Sequence, residues 1–266
     1  MSHLHFPDGL LPLWLLAAGF VISGVLLMNC LRRLKQDTDF VKKVSLLAIL
    51  AAVMLVTMSI PLGGLHYHIN LTVLVGLLVG PWLAFIGVFV VNFFLSFIGH
   101  GGITVVGLNT LVVGSEVFLG FYIFYGLRRY MKAIPAVFSA TIAALLIGSM
   151  FMVLITSAAG FSPQTLNHSH CDHDHAHDEH EDHVHADHAH DEHGEHAHDD
   201  HAHGYTFNLW DYLEAYGKFI LPLLIFGALI EAAVTAGVVK YLHKVKPDLV
   251  EPLFAERPIP KDTDTA

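Results

Sequence analysis

Charge is scarce in this 266-residue chain: Asp, Glu, Lys and Arg make up only 14%, hydrophobic residues make up 54%, and the mean hydropathy is +0.55. Soluble domains carry about 25% charged residues, and disordered chains are far less apolar. Cysteine is nearly absent; Cys30 and Cys171 are too few for a disulfide framework, and Cys30 sits in an apolar run. There is no basic stripe and no aromatic–basic motif, which excludes nucleic acid as a partner. Neither His-Glu-x-x-His nor His-x-x-Glu-His occurs, which removes the commonest zinc-protease signatures. No Gly-x-x-x-x-Gly-Lys-(Ser/Thr) loop occurs either, so ATP hydrolysis by that motif would have to come from another chain. No nucleophile–base pattern stands out, and the chain reads as a non-enzyme. No basic residue precedes the first apolar run, which is too long for a cleaved signal peptide.

What is abundant is apolar runs near the roughly 20 residues that cross a bilayer. They fall at about 10–30, 44–61, 69–79, 82–98, 103–127, 134–159 and 216–242. The third is too short to span upright and is set off from the fourth by Gly80-Pro81. Basic residues cluster at 32–43, 128–132 and 244–246. Seven spans put all three clusters on one side, which the positive-inside rule makes cytoplasmic. Fusing the third and fourth segments would put 128–132 opposite 32–43. The expected fold is an all-α polytopic membrane protein with its N-terminus outside and its C-terminus in the cytoplasm. Residues 1–160 would hold the first six helices and an outer-face site, 161–212 a histidine-rich outer loop, 213–243 the last helix and 244–266 a cytoplasmic tail. The stretch 63–70, Gly-Gly-Leu-His-Tyr-His-Ile-Asn, breaks the apolar pattern. Non-helical backbone at membrane depth is tolerated only where protein or a cavity satisfies it, so this stretch is a candidate site wall.

The net charge of −10 is local: twelve of the 24 acidic residues lie in 172–200, where there is no Lys or Arg. The stretch from His168 to His203 holds 15 of the 21 histidines: His168, His170, His173, His175, His177, His180, His183, His185, His188, His190, His193, His196, His198, His201 and His203, with Cys171 among them. The unit His-Ala-His-Asp-(Glu/Asp)-His recurs at 175–180, 188–193 and 196–201. Low complexity without an apolar period predicts a disordered loop. Imidazole binds Zn, Ni, Cu and Co, and nearby carboxylates concentrate cations. Repeated ligands without fixed geometry discriminate poorly, so the loop reads as a collector or buffer of metal; a pH sensor and a plain solvated linker are the other readings.

Five of the remaining histidines map to the outer side: His3 and His5 before the first span, His66 and His68 in the glycine break, and His100 in the next outer turn. Ionisable residues at membrane depth are functional hypotheses by default, His68 foremost. Removal of Met1 would leave Ser2-His3 as the terminus. Its amine, the His3 amide nitrogen and the His3 imidazole form fused chelate rings in one plane, which a fourth imidazole completes. That geometry suits Ni(II) or Cu(II), whereas Zn(II) prefers a tetrahedron. Glu116 and Glu231 fall near mid-span on two helices. A buried carboxylate must be protonated, paired or wet, and the two serve either coupling and cation passage or hydrogen bonding to a neighbouring helix.

The run His5-Phe6-Pro7-Asp8-Gly9 closely resembles the N-terminal signature of the CbiM/NikM family, the substrate-specific membrane components of energy-coupling factor transporters for cobalt and nickel. Ile60-Pro61-Leu62-Gly63-Gly64 with His68, Gly80-Pro81-Trp82, Gly101-Gly102-Ile103-Thr104, Gly107-x-Asn109, Glu231-x-x-x-Thr235 and Val245-Lys246-Pro247-Asp248 resemble further segments of that family. The resemblance spans nearly the whole chain except about 160–212. It implies a seven-helix, outward-opening pocket in which a terminal amine, a backbone nitrogen and two imidazoles, His5 and His68 by position, hold Ni(II) or Co(II) as transported substrate, with no permanent cofactor. It also implies a cell-membrane location and partners besides lipid: a transmembrane coupling protein, a pair of cytoplasmic ATPases and a small accessory membrane protein.

Two departures matter. In the family pattern the signature histidine directly follows Met, whereas here Met1-Ser2-His3-Leu4 comes first. Either His5 keeps its place without the terminal amine, or Ser2-His3 rebuilds the chelate upstream. His100 stands where the family usually has Asp, and a site softened by His5, His66, His68 and His100 raises Zn(II) as an alternative substrate. A stand-alone carrier or exporter and an outer-face metal sensor are the alternatives of other classes.

Overall fold

The computed structural model describes residues 11–35, 40–60, 68–99, 101–159, 217 and 221–255. These are mostly helical, and no strand occurs among them. The long elements are α1 (Leu13–Leu34), α2 (Phe40–Ser59), α3 (Thr72–Val79), α4 (Pro81–Phe97), α5 (Val106–Leu127), α6 (Ala133–Ala158) and α7 (Leu221–Val245). A 3₁₀ turn (Pro247–Leu249) and a single-turn helix, α8 (Glu251–Phe254), follow. Five helices, α1, α2, α5, α6 and α7, are long and apolar enough to cross a membrane, while α4 is apolar but shorter at 17 residues.

Helix ends differ from the apolar runs where charge sits at a terminus. α1 continues past Cys30 to Leu34, taking Arg32 and Arg33 into its last turn, where cations suit the negative end of the helix dipole. α2 starts at Phe40 rather than Val44 and includes Lys42 and Lys43. α5 starts at Val106 rather than Ile103, because residues 103–105 form the turn after Gly101-Gly102. α7 ends at Val245, and residues 247–255 fold back against the bundle. Val250 and Leu253 are buried, and Pro247 and Pro252 each sit at the start of a helical turn, where a missing N–H costs nothing.

α5 is the centre of the bundle: it packs against α1, α3, α4 and α6, while α7 packs on α6. Gly107 lets α1 and α5 meet backbone to backbone, since a Cβ there would lie 2.7 Å from the Phe20 nitrogen. α3 is apolar all round and buried on nearly every side, as an interior helix must be. Gly80 (φ +88°) separates it from α4, and Pro81 opens the next helix. On α1 and α2 the exposed side chains are large and apolar, with Leu13, Val21, Ile49 and Val56 all more than half exposed. In water such a surface would aggregate; against lipid it is at rest.

The basic clusters share one end of the bundle. Trp82 at the start of α4 touches Phe118 of α5, and Asn92 further along α4 donates to Thr110 of α5, so the two helices run antiparallel. The start of α4 therefore lies toward the end of α5. Arg33 stacks over Trp82 at 4.3 Å, which brings the end of α1 to the same level. Arg128, just past α5, donates through Nε to the Leu253 carbonyl at 3.1 Å, and His243 near the end of α7 stacks on Phe254 at 3.8 Å.

Candidate functional site: a helix head held by two buried carboxylates

α3 begins inside the bundle. Its eight residues rise only about 12 Å, too little to cross a hydrocarbon core of about 30 Å. Its head, preceded by non-helical residues 68–71, meets Glu116 and Glu231 near the middle of α5 and α7 and so lies at depth. Leu71 takes the left-handed conformation (φ +57°) and has no side-chain group with which to cap the helix.

The exposed amides of a helix start need acceptors, most of all where no water can supply them. Glu231 of α7 provides two. Its Oε1 accepts the Leu71 N–H at 2.9 Å and its Oε2 accepts the Asn70 N–H at 3.2 Å. Glu116 of α5 takes the next residue: its Oε2 accepts the Thr72 hydroxyl at 2.9 Å. Both glutamates are fully buried, and each is the eleventh residue of its helix, near mid-length. A carboxylate at the positive end of a helix dipole is favourably placed.

His68 stands two residues before this clamp, partly buried, in the non-helical stretch. It is the one proposed pocket ligand within the described residues. Ser2, His3, His5, His66, His100 and the loop residues from His168 to His203, Cys171 included, lie outside them. Among the described residues no three or more His, Cys, Asp or Glu side chains are grouped to hold a metal. A cavity of about 590 Å³ among α1, α4, α5 and α6 offers no metal donors, being apolar apart from Ser115. Asn70 and Thr72 were missed as partners of the glutamates. Their only signal was being the two polar residues flanking Leu71 at the start of an otherwise apolar run.

Several helices long and apolar enough to cross a membrane, packed around a short interior one with a histidine just ahead of its start, define a multi-pass membrane protein. The chain belongs to the CbiM family, described as the cobalt uptake substrate-specific transmembrane region, whose family model matches residues 5–249. The motif resemblance was to this same family. The cobalt transport protein CbiM of Clostridium tetani is 29% identical over 160 residues, covering 58% of this chain and 64% of that protein. The match thus spans less than two thirds of that relative's length. The putative fused nickel transport protein NikMN of Archaeoglobus fulgidus is 28% identical over 254 residues, 93% of this chain and 68% of that one. A crystal structure of a transition metal transporter shares the fold, with a TM-score of 0.64 at 20% identity over 93% of this chain and 96% of that one.

Proposed function

We propose that this chain is the substrate-binding membrane component of an energy-coupling factor uptake transporter for a divalent transition metal, Ni(II) or Co(II) foremost. The observation that carries the reading is His68 in the non-helical stretch just ahead of the interior helix α3, in a chain that matches the family over residues 5–249. A metal ligand in a membrane protein needs a backbone that is irregular yet satisfied, and Glu231 and Glu116 provide this next to His68. In this reading the chain crosses seven times, with its N-terminus outside and the basic end in the cytoplasm. His68 joins His5, or the Ser2-His3 terminus, around the metal. The histidine-rich loop collects metal on the outer side. ATP hydrolysis belongs to a separate pair of ATPases, engaged through a transmembrane coupling protein with a small accessory membrane protein. Zinc uptake by the same architecture is the second reading, favoured by His100 and the loop composition.

The test is elemental analysis of protein purified without a histidine tag and lacking residues 165–204, beside its His68→Ala partner. About one equivalent of Ni or Co that survives the deletion and vanishes with His68→Ala supports the uptake site. Zn behaving the same way moves the substrate to zinc. Loss of all metal on deleting the loop makes the loop the main binder and removes the pocket reading.

A further inference from the structure

We propose that Glu231 is a positioning residue for metal capture: by holding the Asn70 and Leu71 amides it fixes where His68 presents its imidazole. The inference rests on the reading of His68 as a metal ligand and goes beyond it by assigning the group that sets the ligand's direction.

The segment from Asn70 to Leu71 is non-helical and leads into the head of α3. Its helical hydrogen bonding begins only at its end, where the Leu71 carbonyl accepts the Val75 N–H at 3.1 Å; Leu71 sits in a conformation that L residues avoid, and its side chain cannot cap the helix it precedes. Its anchorage is long-range. Glu231 lies 160 residues away from Leu71 in sequence and takes both consecutive amides, one on each carboxylate oxygen. Glu116 then takes the Thr72 hydroxyl. Three successive residues are thereby tied to two different membrane helices. His68 lies two residues upstream, a reach of about 7 Å, so its backbone is tethered to those ties. Metal ligands must be held to within about 0.5 Å, and groups that orient ligands without touching the metal are typically worth 10–100-fold in affinity.

The chemistry requires a carboxylate in particular. Two converging N–H donors need two acceptors. A glutamine at 231 would offer one acceptor and one donor, and would turn N–H against N–H at one of the two amides. Aspartate keeps both oxygens but withdraws them by one methylene.

The experiment uses the full-length, tag-free chain in detergent. Co(II) is titrated against a competing chelator and the visible absorption of the bound metal is recorded for wild type, Glu231→Gln, Glu231→Asp, His68→Ala and His68→Ala/Glu231→Gln. The histidine-rich loop contributes the same background to all five. His68→Ala is expected to abolish one tight equivalent. Glu231→Gln is expected to weaken that equivalent about 10–100-fold and shift its absorption band, with partial recovery in Glu231→Asp. In the His68→Ala background Glu231→Gln should change nothing further. Hydrogen exchange should quicken in peptides covering 68–72 of Glu231→Gln and stay as in wild type along α5 and α6. The proposal is overturned if Glu231→Gln leaves the tight equivalent and its band unchanged, or if it weakens binding equally with and without His68, or if exchange quickens throughout the bundle. Should the tight equivalent survive His68→Ala, the ligand reading itself falls and takes the positioning role with it.

Discussion

Gly148 of α6 faces the side chain of Glu116 so closely that a Cβ on it would lie 2.7 Å from Cγ and 2.9 Å from Oε1. The glutamate is held at its far end by Thr72 and has little freedom to retreat. Gly148→Ala sets an overpacking cost of about 1–3 kcal/mol against a helix-propensity gain of about 1 kcal/mol. The expected outcome is a lower thermal midpoint in detergent. Gly24→Ala on α1 meets nothing within 4 Å and should hold or raise the midpoint. A Gly148→Ala protein as stable as Gly24→Ala would show that the Glu116 side chain has room to yield.

Thr72 and Glu116 should respond unequally to substitution. Thr72→Val keeps the shape but removes the hydroxyl that donates to Glu116 Oε2, at a cost of about 1–3 kcal/mol for a buried acceptor that loses its donor. Glu116→Gln retains an acceptor for that hydroxyl and should cost about 1 kcal/mol or less. Chemical denaturation in mixed micelles would rank the two; a Glu116→Gln protein less stable than Thr72→Val would reverse the argument.

At the basic end, Arg128 ties the folded-back segment to the bundle. Its Nε donates to the Leu253 carbonyl and its Nη2 reaches the Phe254 and Ala255 carbonyls at 3.5 Å each, while Nη1 donates to the Met131 carbonyl at 3.1 Å. A lysine has no fork and cannot serve these directions together. Arg128→Lys and Arg128→Ala should both speed proteolytic cleavage within 247–255 while leaving His68-dependent metal binding intact. Unchanged cleavage would mean that the burial of Val250 and Leu253 alone keeps the segment docked.

Acidity should strip the loop. Metal and proton compete for the same imidazole nitrogens, which take up protons near pH ~6.5, so the metal capacity of residues 168–203 should fall between about pH 7.5 and 5.5. Deleting residues 165–204 should remove that pH-dependent capacity and leave uptake at high external metal in place. Elemental analysis across pH on both proteins measures it. A capacity that is flat with pH would count against imidazole ligation in the loop.

The helices could be read from the chain largely because apolar runs and their punctuation are local features. Gly80-Pro81 marked the division between α3 and α4, and the structure breaks there. The ends of α1 and α2 were less legible, because a helix stops where its backbone hydrogen bonds stop, and Arg33 or Lys43 can ride in a terminal turn. The turns at 247–254 were passed over, although Pro247 and Pro252 each marked a helix start. At the candidate site, Glu116 and Glu231 stood out as carboxylates in apolar surroundings, and His68 as a histidine in a glycine-rich break. What joined them could not be read. The bond from Glu231 to Asn70 links residues 161 positions apart, and no periodicity or spacing carries such a pairing.

α7 has one hand on each level of the protein. Glu231 grips the backbone beside His68, and His243, twelve residues on, stacks against Phe254 at the basic end. A straight helix covers that interval in about 18 Å. That half of α7 is pinned at each of its ends, so it cannot slide or turn at the basic end without dragging the head of α3 with it.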